Sequence, residues 1–252
     1  MVSSEKVVFP NNRKQRISGR IYRGDENSLT GVIYCHGLFS DKDGYKITRL
    51  ADTIVSAGTI LLSFDFSFAG ESPGDISEIS LLQEVEDLGS AVAFFRDKTG
   101  ISGLHLIGSS MGGAVALLYA SRPGHGIKSV ITIAAPADIE NMADLMFSVS
   151  DKGIPPAEGM TFVEGHNIKN RFYHELKSVD MISQLKKIDV PVLAIHGGRD
   201  EVVDIKNIHL IRENIKSSCR THIIESGDHS LVRDMDIAVL GDLIISWLRE
   251  VR

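Results

Sequence analysis

Short apolar runs alternate with longer stretches of helical spacing along most of the chain. Val32-Ile33-Tyr34-Cys35 is a continuous β-branched and aromatic run ending at His36-Gly37, as a buried strand does. Behind it Ile47, Leu50, Ala51, Ile54 and Val55 share one face of a helix over residues 47–57, and Gly58 stops that helix in the left-handed conformation. Thr59 to Phe64 reads as the next strand. A turn-rich segment from Asp65 to Asp75 leads to a helix from about Ile79 to Lys98, striped by Leu82, Val85, Leu88, Val92 and Phe95. Glu78, Glu84, Glu86 and Asp87 crowd its start, and Arg96 and Lys98 its end, a polarity that suits the helix dipole. Further strands are expected at 104–107, 129–134, 190–195 and 220–224, and a last helix from about Leu231 to Val251.

Alternating strands and helices in one chain imply a mostly parallel sheet with helices on both faces. Residues 6–9 and 16–22 are short and alternating, which predicts an antiparallel edge at the N-terminus. One interval breaks the rhythm. More than fifty residues separate the strand at 129–134 from the one at 190–195, and they hold Met142, Leu145, Met146, Phe147, Met160, Phe162, Phe172 and Tyr173. A compact domain rarely leaves so long a stretch idle. Residues 137–185 are therefore expected to form an inserted cap, with 1–136 and 186–252 as the core domain.

Composition narrows the class. The chain has 252 residues, 43% hydrophobic and 24% charged, ordinary for a globular protein. No run approaches the ~18 apolar residues of a membrane span, and the start lacks the apolar segment of a signal peptide. Cys35 and Cys219 cannot make a disulfide framework or a C-x-x-C site, so a soluble, cytoplasmic location is expected. The 27 Lys+Arg against 33 Asp+Glu give a net charge of −6; without a basic stripe this argues against nucleic-acid binding.

The candidate chemistry centres on Gly108-Ser109-Ser110-Met111-Gly112. G-x-S-x-G alone is a weak pattern. Here it follows a strand pattern, Leu104-His105-Leu106-Ile107, and precedes a helix pattern from Ala114 to Tyr119, the setting a nucleophile elbow needs. The strained turn lifts the serine hydroxyl over the sheet, and the flanking glycines keep strand and helix from colliding. A serine needs a base. Of nine histidines, His229 sits in Ser226-Gly227-Asp228-His229-Ser230 between the last strand and the last helix, at the same sheet edge as Ser110. His36 and His196 each precede a glycine at a strand end, and His105 and His222 lie within strand patterns. The third member should be a carboxylate that fixes the imidazole tautomer. Asp200, just past Gly197-Gly198-Arg199, is the candidate, with Asp204 and Asp138 as rivals. The order Ser110, Asp200, His229 is that of an α/β-hydrolase.

These pieces, from His36-Gly37-Leu38-Phe39 through Asp65 and Gly70-Glu71-Ser72 to Gly108–Gly113, Asp200 and His229, resemble the α/β-hydrolases. Within them the branch holding serine aminopeptidases, monoacylglycerol lipases and cinnamoyl or feruloyl esterases is the most similar. The resemblance implies an α/β-hydrolase fold and places the backbone N–H groups of Leu38 and Met111 as the oxyanion hole. One departure is Ser109, where many relatives carry His.

The expected activity is that of a serine carboxylesterase acting by acyl transfer, on short-acyl or aromatic-acid esters. Phe39, Met142, Met146 and Phe172 are the candidate substrate contacts. The expected partner is a small-molecule ester; a homo-oligomer is left open. No cofactor or metal is called for: no H-E-x-x-H, clustered His/Cys pattern or acidic calcium loop is present. On the same triad an aminopeptidase would need an acidic anchor, Glu158 or Glu164, and a lipase or thioesterase is a further alternative. A ligand-binding protein on a hydrolase scaffold is the alternative of another class.

Overall fold

Alternate residues of the central run face opposite sides of one sheet. Val32 and Tyr34 join one apolar cluster, Ile33 and Cys35 the other. Burial on both faces is what a central parallel strand requires, and it explains why the run is continuously apolar. The computed structural model describes residues 2–24 and 28–251; Met1 and Arg252, the outer limits of the expected core spans, lie outside the described residues.

In chain order the body begins with β1 (Ser3–Pro10) and β2 (Arg16–Arg23). It continues through β3 (Thr30–Cys35), α1 (Tyr45–Ser56), β4 (Ile60–Phe64), α2 (Leu81–Thr99), β5 (Gly103–Ser109), α3 (Met111–Ala120) and β6 (Ser129–Ile133). The following interval holds α4 (Ile139–Met146), α5 (Val149–Lys152), the strands β7 (Met160–Val163) and β8 (His166–Lys169), α6 (Arg171–Ser178) and α7 (Met181–Leu185). The body resumes with β9 (Val192–Gly197), α8 (Lys206–Asn214), β10 (Cys219–Ile224) and α9 (Asp234–Glu250).

The main sheet has eight strands in the order β1-β2-β4-β3-β5-β6-β9-β10. β1, β2 and β4 pair antiparallel, and every pairing from β4 to β10 is parallel. The chain leaves β3 for β4 on one side, then crosses back to β5 on the other. Strand order reverses at β3, so a crevice opens outside the carboxyl ends of β3 and β5. α1 and α9 cover one face, with Ile47, Leu50, Ile244 and Trp247 in its cluster; α2, α3 and α8 cover the other. Among the described residues no helix is long and apolar enough to cross a membrane.

Three details of the pattern reading change. α2 starts at Leu81, capped by the Ser80 side chain, which accepts from the Gln83 amide; Ile76–Glu78 is a separate 3-10 turn. The charge order agrees with the dipole, with Glu84 in the first turn and Arg96 and Lys98 in the last, yet two of the acidic residues are buried. Glu84 and Asp87 are 4% and 0% exposed. Asp87 accepts bonds from Asn11 and from the Ser67 amide, at 2.9 and 2.8 Å, and so ties the β1–β2 turn to the helix. Glu78 pairs with Lys169 and Arg171 of the insertion. The last helix begins at Asp234, after a turn in which Leu231 has a φ of +48°.

The residues of 137–185 share the core of the body. Ala143, Phe147, Phe172 and Leu176 lie in the same apolar cluster as Leu106 and Val115. β7 and β8 form a hairpin through Glu164 and Gly165, both at positive φ, +45° and +90°, the two-residue turn that matches strand twist.

Candidate active site

Ser110 follows β5 and caps the start of α3 with φ +52° and ψ −124°, a region that L-residues adopt only when the surroundings impose it. Close packing on both sides imposes it here. A Cβ on Gly108 would lie 2.3 Å from the Gly112 carbonyl oxygen, and one on Gly112 would lie 2.3 Å from the carbonyl oxygens of Cys35 and His36. Both contacts are impossible, so only glycine lets α3 start this close to β3. The Ser110 amide donates to the Ile133 carbonyl at 2.8 Å and locks the turn against β6.

His229 Nε2 lies 3.0 Å from Ser110 Oγ, and His229 Nδ1 lies 2.8 Å from Asp200 Oδ2. The carboxylate of Asp200 is fully buried, and His229 is one-fifth exposed. Burial alone would raise the Asp200 pKa. The bonds from His196, His229 and the Val203 amide outweigh it and hold the group well below the ordinary carboxylate range. Oδ1 accepts the amides of Val202 and Val203 at 2.9 and 2.8 Å, while Oδ2 is shared by His229 and His196, the latter at 3.2 Å. An ionised acid facing Nδ1 requires the proton there, which leaves Nε2 free to accept from the serine.

The loops carrying the acid and the base are pressed together by glycine. A Cβ on Gly197 would meet the Asp228 carbonyl oxygen at 2.4 Å, and the Arg199 amide donates to Gly227 at 2.8 Å. The Gly-Gly pair therefore serves the approach of the 227–228 backbone. The rival carboxylates are occupied elsewhere. Asp138 caps α4 through the Asn141 amide and pairs with Lys206 at 3.0 Å; Asp204 accepts the Lys206 amide at the start of α8.

The His36-Gly37-Leu38 segment lies opposite Ser110. The Phe66 amide donates to His36 Nε2 at 3.2 Å, so Nδ1 carries the hydrogen and donates to the Gly37 carbonyl at 2.8 Å. Burial lowers the His36 pKa, which keeps the ring neutral and the loop fixed. Lys42, 2% exposed, anchors the far end: its amide and ammonium both bond Asp65, at 2.7 and 3.0 Å, and its ammonium reaches Glu71 at 2.8 Å. His196 and Lys42 were not picked out by sequence. His196 is signalled only by its four-residue spacing from Asp200, and nothing in the sequence marks Lys42.

A cleft of about 380 Å³ opens over Ser110 and His229. Leu38 and Met111 line it, and so do Met142, Leu145 and Met146 from α4, Val202 and Val203, and the carboxylates Glu164 and Glu201. Two of the four expected substrate contacts are thus brought to the cleft and two are not. Phe172 is 1% exposed inside the shared core: α6 must bury an apolar face on the body, and Phe172 lies on it. Phe39, at φ +57°, stacks on His166 of the hairpin, centroids 4.4 Å apart. Glu158 lines a separate surface groove with Lys169 and Arg171, whereas Glu164 reaches the cleft from the hairpin turn.

Comparison with known proteins agrees with this architecture. The model of the α/β hydrolase fold family matches residues 31–153. Human mitochondrial palmitoyl-protein thioesterase ABHD10 is 24% identical over 227 residues, which cover 87% of this chain and 73% of that protein. Among solved structures, ferulic-acid-bound Est1E from Butyrivibrio proteoclasticus superposes with a TM-score of 0.87 at 18% identity, covering 97% of this chain and 99% of that one. The esterase domain of a Rhodothermus marinus protein gives a TM-score of 0.76 at 25% identity, covering 98% of each chain. With its reversed strand order, its elbow after β5 and likenesses that span nearly the whole chain, this protein has the α/β-hydrolase fold and is similar in sequence to that family.

Proposed function

We propose that the protein is a serine hydrolase of carboxylic esters, acting by acyl transfer through Ser110, His229 and Asp200. The observation that carries this reading is the pair of bonds at His229, 3.0 Å to the serine and 2.8 Å to a buried carboxylate, beneath a cleft walled by Leu38 and methionines. His229 Nε2 takes the Ser110 proton as Oγ attacks the ester carbonyl. Asp200 holds the tautomer and stabilises the imidazolium. The Met111 amide, in the first turn of α3 where no intrahelical acceptor exists, and the Leu38 amide receive the oxyanion. Held in place beforehand, they need little reorganisation as charge develops. His229 then protonates the leaving alcohol, and water repeats the cycle to release the acid.

For substrate class we favour aromatic or short acyl groups. The cleft volume falls at the small end of the usual range for ligand sites, and its methionines and Leu38 suit an apolar acyl group. The similarity to a ferulic-acid-bound esterase supports the same choice. The insertion 137–185 acts as the cap that shapes this cleft. A second reading has its own support. Glu164 and Glu201 line the cleft, which suits a substrate with a cationic group beside the scissile bond, as in an aminoacyl compound. Thioester hydrolysis uses the same triad and is the activity named for the ABHD10 relative.

Labelling with a fluorophosphonate tests the class of activity: Ser110 is modified in the wild type and no modification occurs in Ser110→Ala. An unlabelled wild type would leave a ligand-binding scaffold as the reading. Activity on a panel of aromatic, short-chain and long-chain esters, thioesters and aminoacyl arylamides then tests the substrate class. Preference for an aminoacyl arylamide over every ester overturns the esterase reading.

A further inference from the structure

Lys46 stands in the first turn of α1, where the positive end of the helix dipole disfavours a cation and no acidic residue is present to offset it. Its Nζ donates a 2.7 Å hydrogen bond to the hydroxyl of Ser109, the residue immediately before the elbow serine and 6% exposed. Ser109 is also hydrogen-bonded to the buried Tyr34 phenol of β3. The lysine stem is partly exposed, yet desolvation dominates at the amine and brings its pKa down to about 8, against the opposing attraction of Asp200 and Asp228. A neutral hydroxyl is a poor partner for a desolvated ammonium, since such charges are ordinarily held by a carboxylate. Lys42, just before α1, follows that rule with Asp65 and Glu71. Lys46 breaks it directly behind the elbow.

We propose that Lys46 is a positioning residue for the reaction: anchored on Ser109, its ammonium disfavours a second cation at the triad and so keeps His229 in the neutral, proton-accepting form near neutral pH. The inference rests on the acyl-transfer reading, because it concerns the base of that reaction. The physical ground is that a nearby like charge disfavours the protonated imidazole. Several other charges around α1 are paired among themselves. Asp234 and Asp236 of α9 pair with Arg49 and Arg233, Asp65 with Lys42, and Asp43 with Arg20. From the β9 and β10 loops come His196, Asp200, Asp228 and His229, with Asp200 held by the two histidines, and Glu164 and Glu201 share the cleft with His229 in both wild type and variants.

The test is the rate of fluorophosphonate labelling of Ser110 from pH 5 to pH 9 in the wild type, Lys46→Met and Lys46→Arg. Lys46→Met is expected to move the acid limb of the profile upward by roughly half a pH unit, the effect of one charge screened by partly wet protein. Lys46→Arg, which keeps the charge, is expected to leave the limb near its wild-type place. The Tm of Lys46→Met at pH 7 should equal or exceed that of the wild type, because a desolvated cation is removed. A limb that does not move in Lys46→Met overturns the proposal. A Tm that falls while the limb stays in place marks a lysine of structural importance alone and overturns it too. Should Lys46→Met not fold, Ser109→Ala unseats the amine and must move the limb in the same direction; an unmoved limb again overturns the proposal. A wild type that resists labelling at every pH overturns the acyl-transfer reading and this inference with it, an outcome distinct from labelling with unchanged limbs.

Discussion

The elbow after β5 and the insertion between β6 and β9 place side chains over the same cleft by opposite means. At the elbow each position follows from a local requirement. Strand alternation aims Leu106 and Ile107 to opposite faces, glycine at 108 and 112 admits contacts that a Cβ would close, and the serine between them takes the strained turn that remains. In the insertion the same residue types are divided by packing alone. Met142 and Met146 line the cleft while Phe172, also on a helix, is sealed in the core. Apolar character marks both groups equally; only the face that must cover the body separates them. Chemistry built at strand ends is therefore far more constrained than the specificity surface above it.

The widest gap between the two regions should come from the elbow. Ser110→Ala and His229→Ala are each expected to abolish ester turnover in a kinetic assay while leaving the circular dichroism spectrum unchanged. Asp200→Asn should lower kcat by up to ~10⁴-fold, since the amide favours the wrong tautomer of His229. Asp138→Asn, which touches a helix cap and Lys206 only, should change kcat little. A severe Asp138→Asn with a near-silent Asp200→Asn would reassign the acid.

Stability separates the regions next. Phe172→Ala should cost about 3–5 kcal/mol in denaturant unfolding, the usual loss for a buried phenylalanine, with little change in substrate preference. Met146→Ala should do the reverse, altering the ratio of kcat/KM between aromatic and long-chain esters by roughly tenfold at small cost in stability. If both mutants lost stability alike, the cleft wall and the core would be one structure, and the comparison would fail.

The smallest expected effect is one of pH. The Asp200 pKa is depressed in the folded protein, so its contribution to stability is present above the ordinary carboxylate range and is lost as pH falls through the lower folded value. The wild type should therefore lose stability on acidification below about pH 4 more steeply than Asp200→Asn. Unfolding followed from pH 2 to pH 6 measures the difference in slope, and parallel curves would show that the carboxylate is not held as described.

Much of the body was legible because few residues decide it. The run 32–35, the Gly58 stop at φ +78° and the strand–turn–helix around Ser110 each state a requirement in residue types alone. The hairpin of the insertion was not legible, because its turn is Glu164-Gly165 and a glutamate rarely accepts positive φ. At α2 the charge order of the sequence matches the helix, with Glu84 in the first turn and Arg96 and Lys98 in the last, whereas the burial of Glu84 and Asp87 had no sequence signal. Lys46 and Ser109 had no sequence signal connecting them; they meet because the first turn of α1 comes up to the end of β5.

Periodicity, glycine placement and chain order determined on their own a wound, mostly parallel sheet, with a serine, an acid and a histidine each just past a strand's end. Those are local properties: alternation, turn sterics and the direction in which a parallel strand must exit. Which carboxylate meets the imidazole, which apolar side chains face the cleft, and which lysine lies unpaired by any carboxylate behind the nucleophile were decided by tertiary packing. Such choices depend on distances between segments far apart in sequence and on how completely water is excluded there, and neither is written in any single stretch of chain.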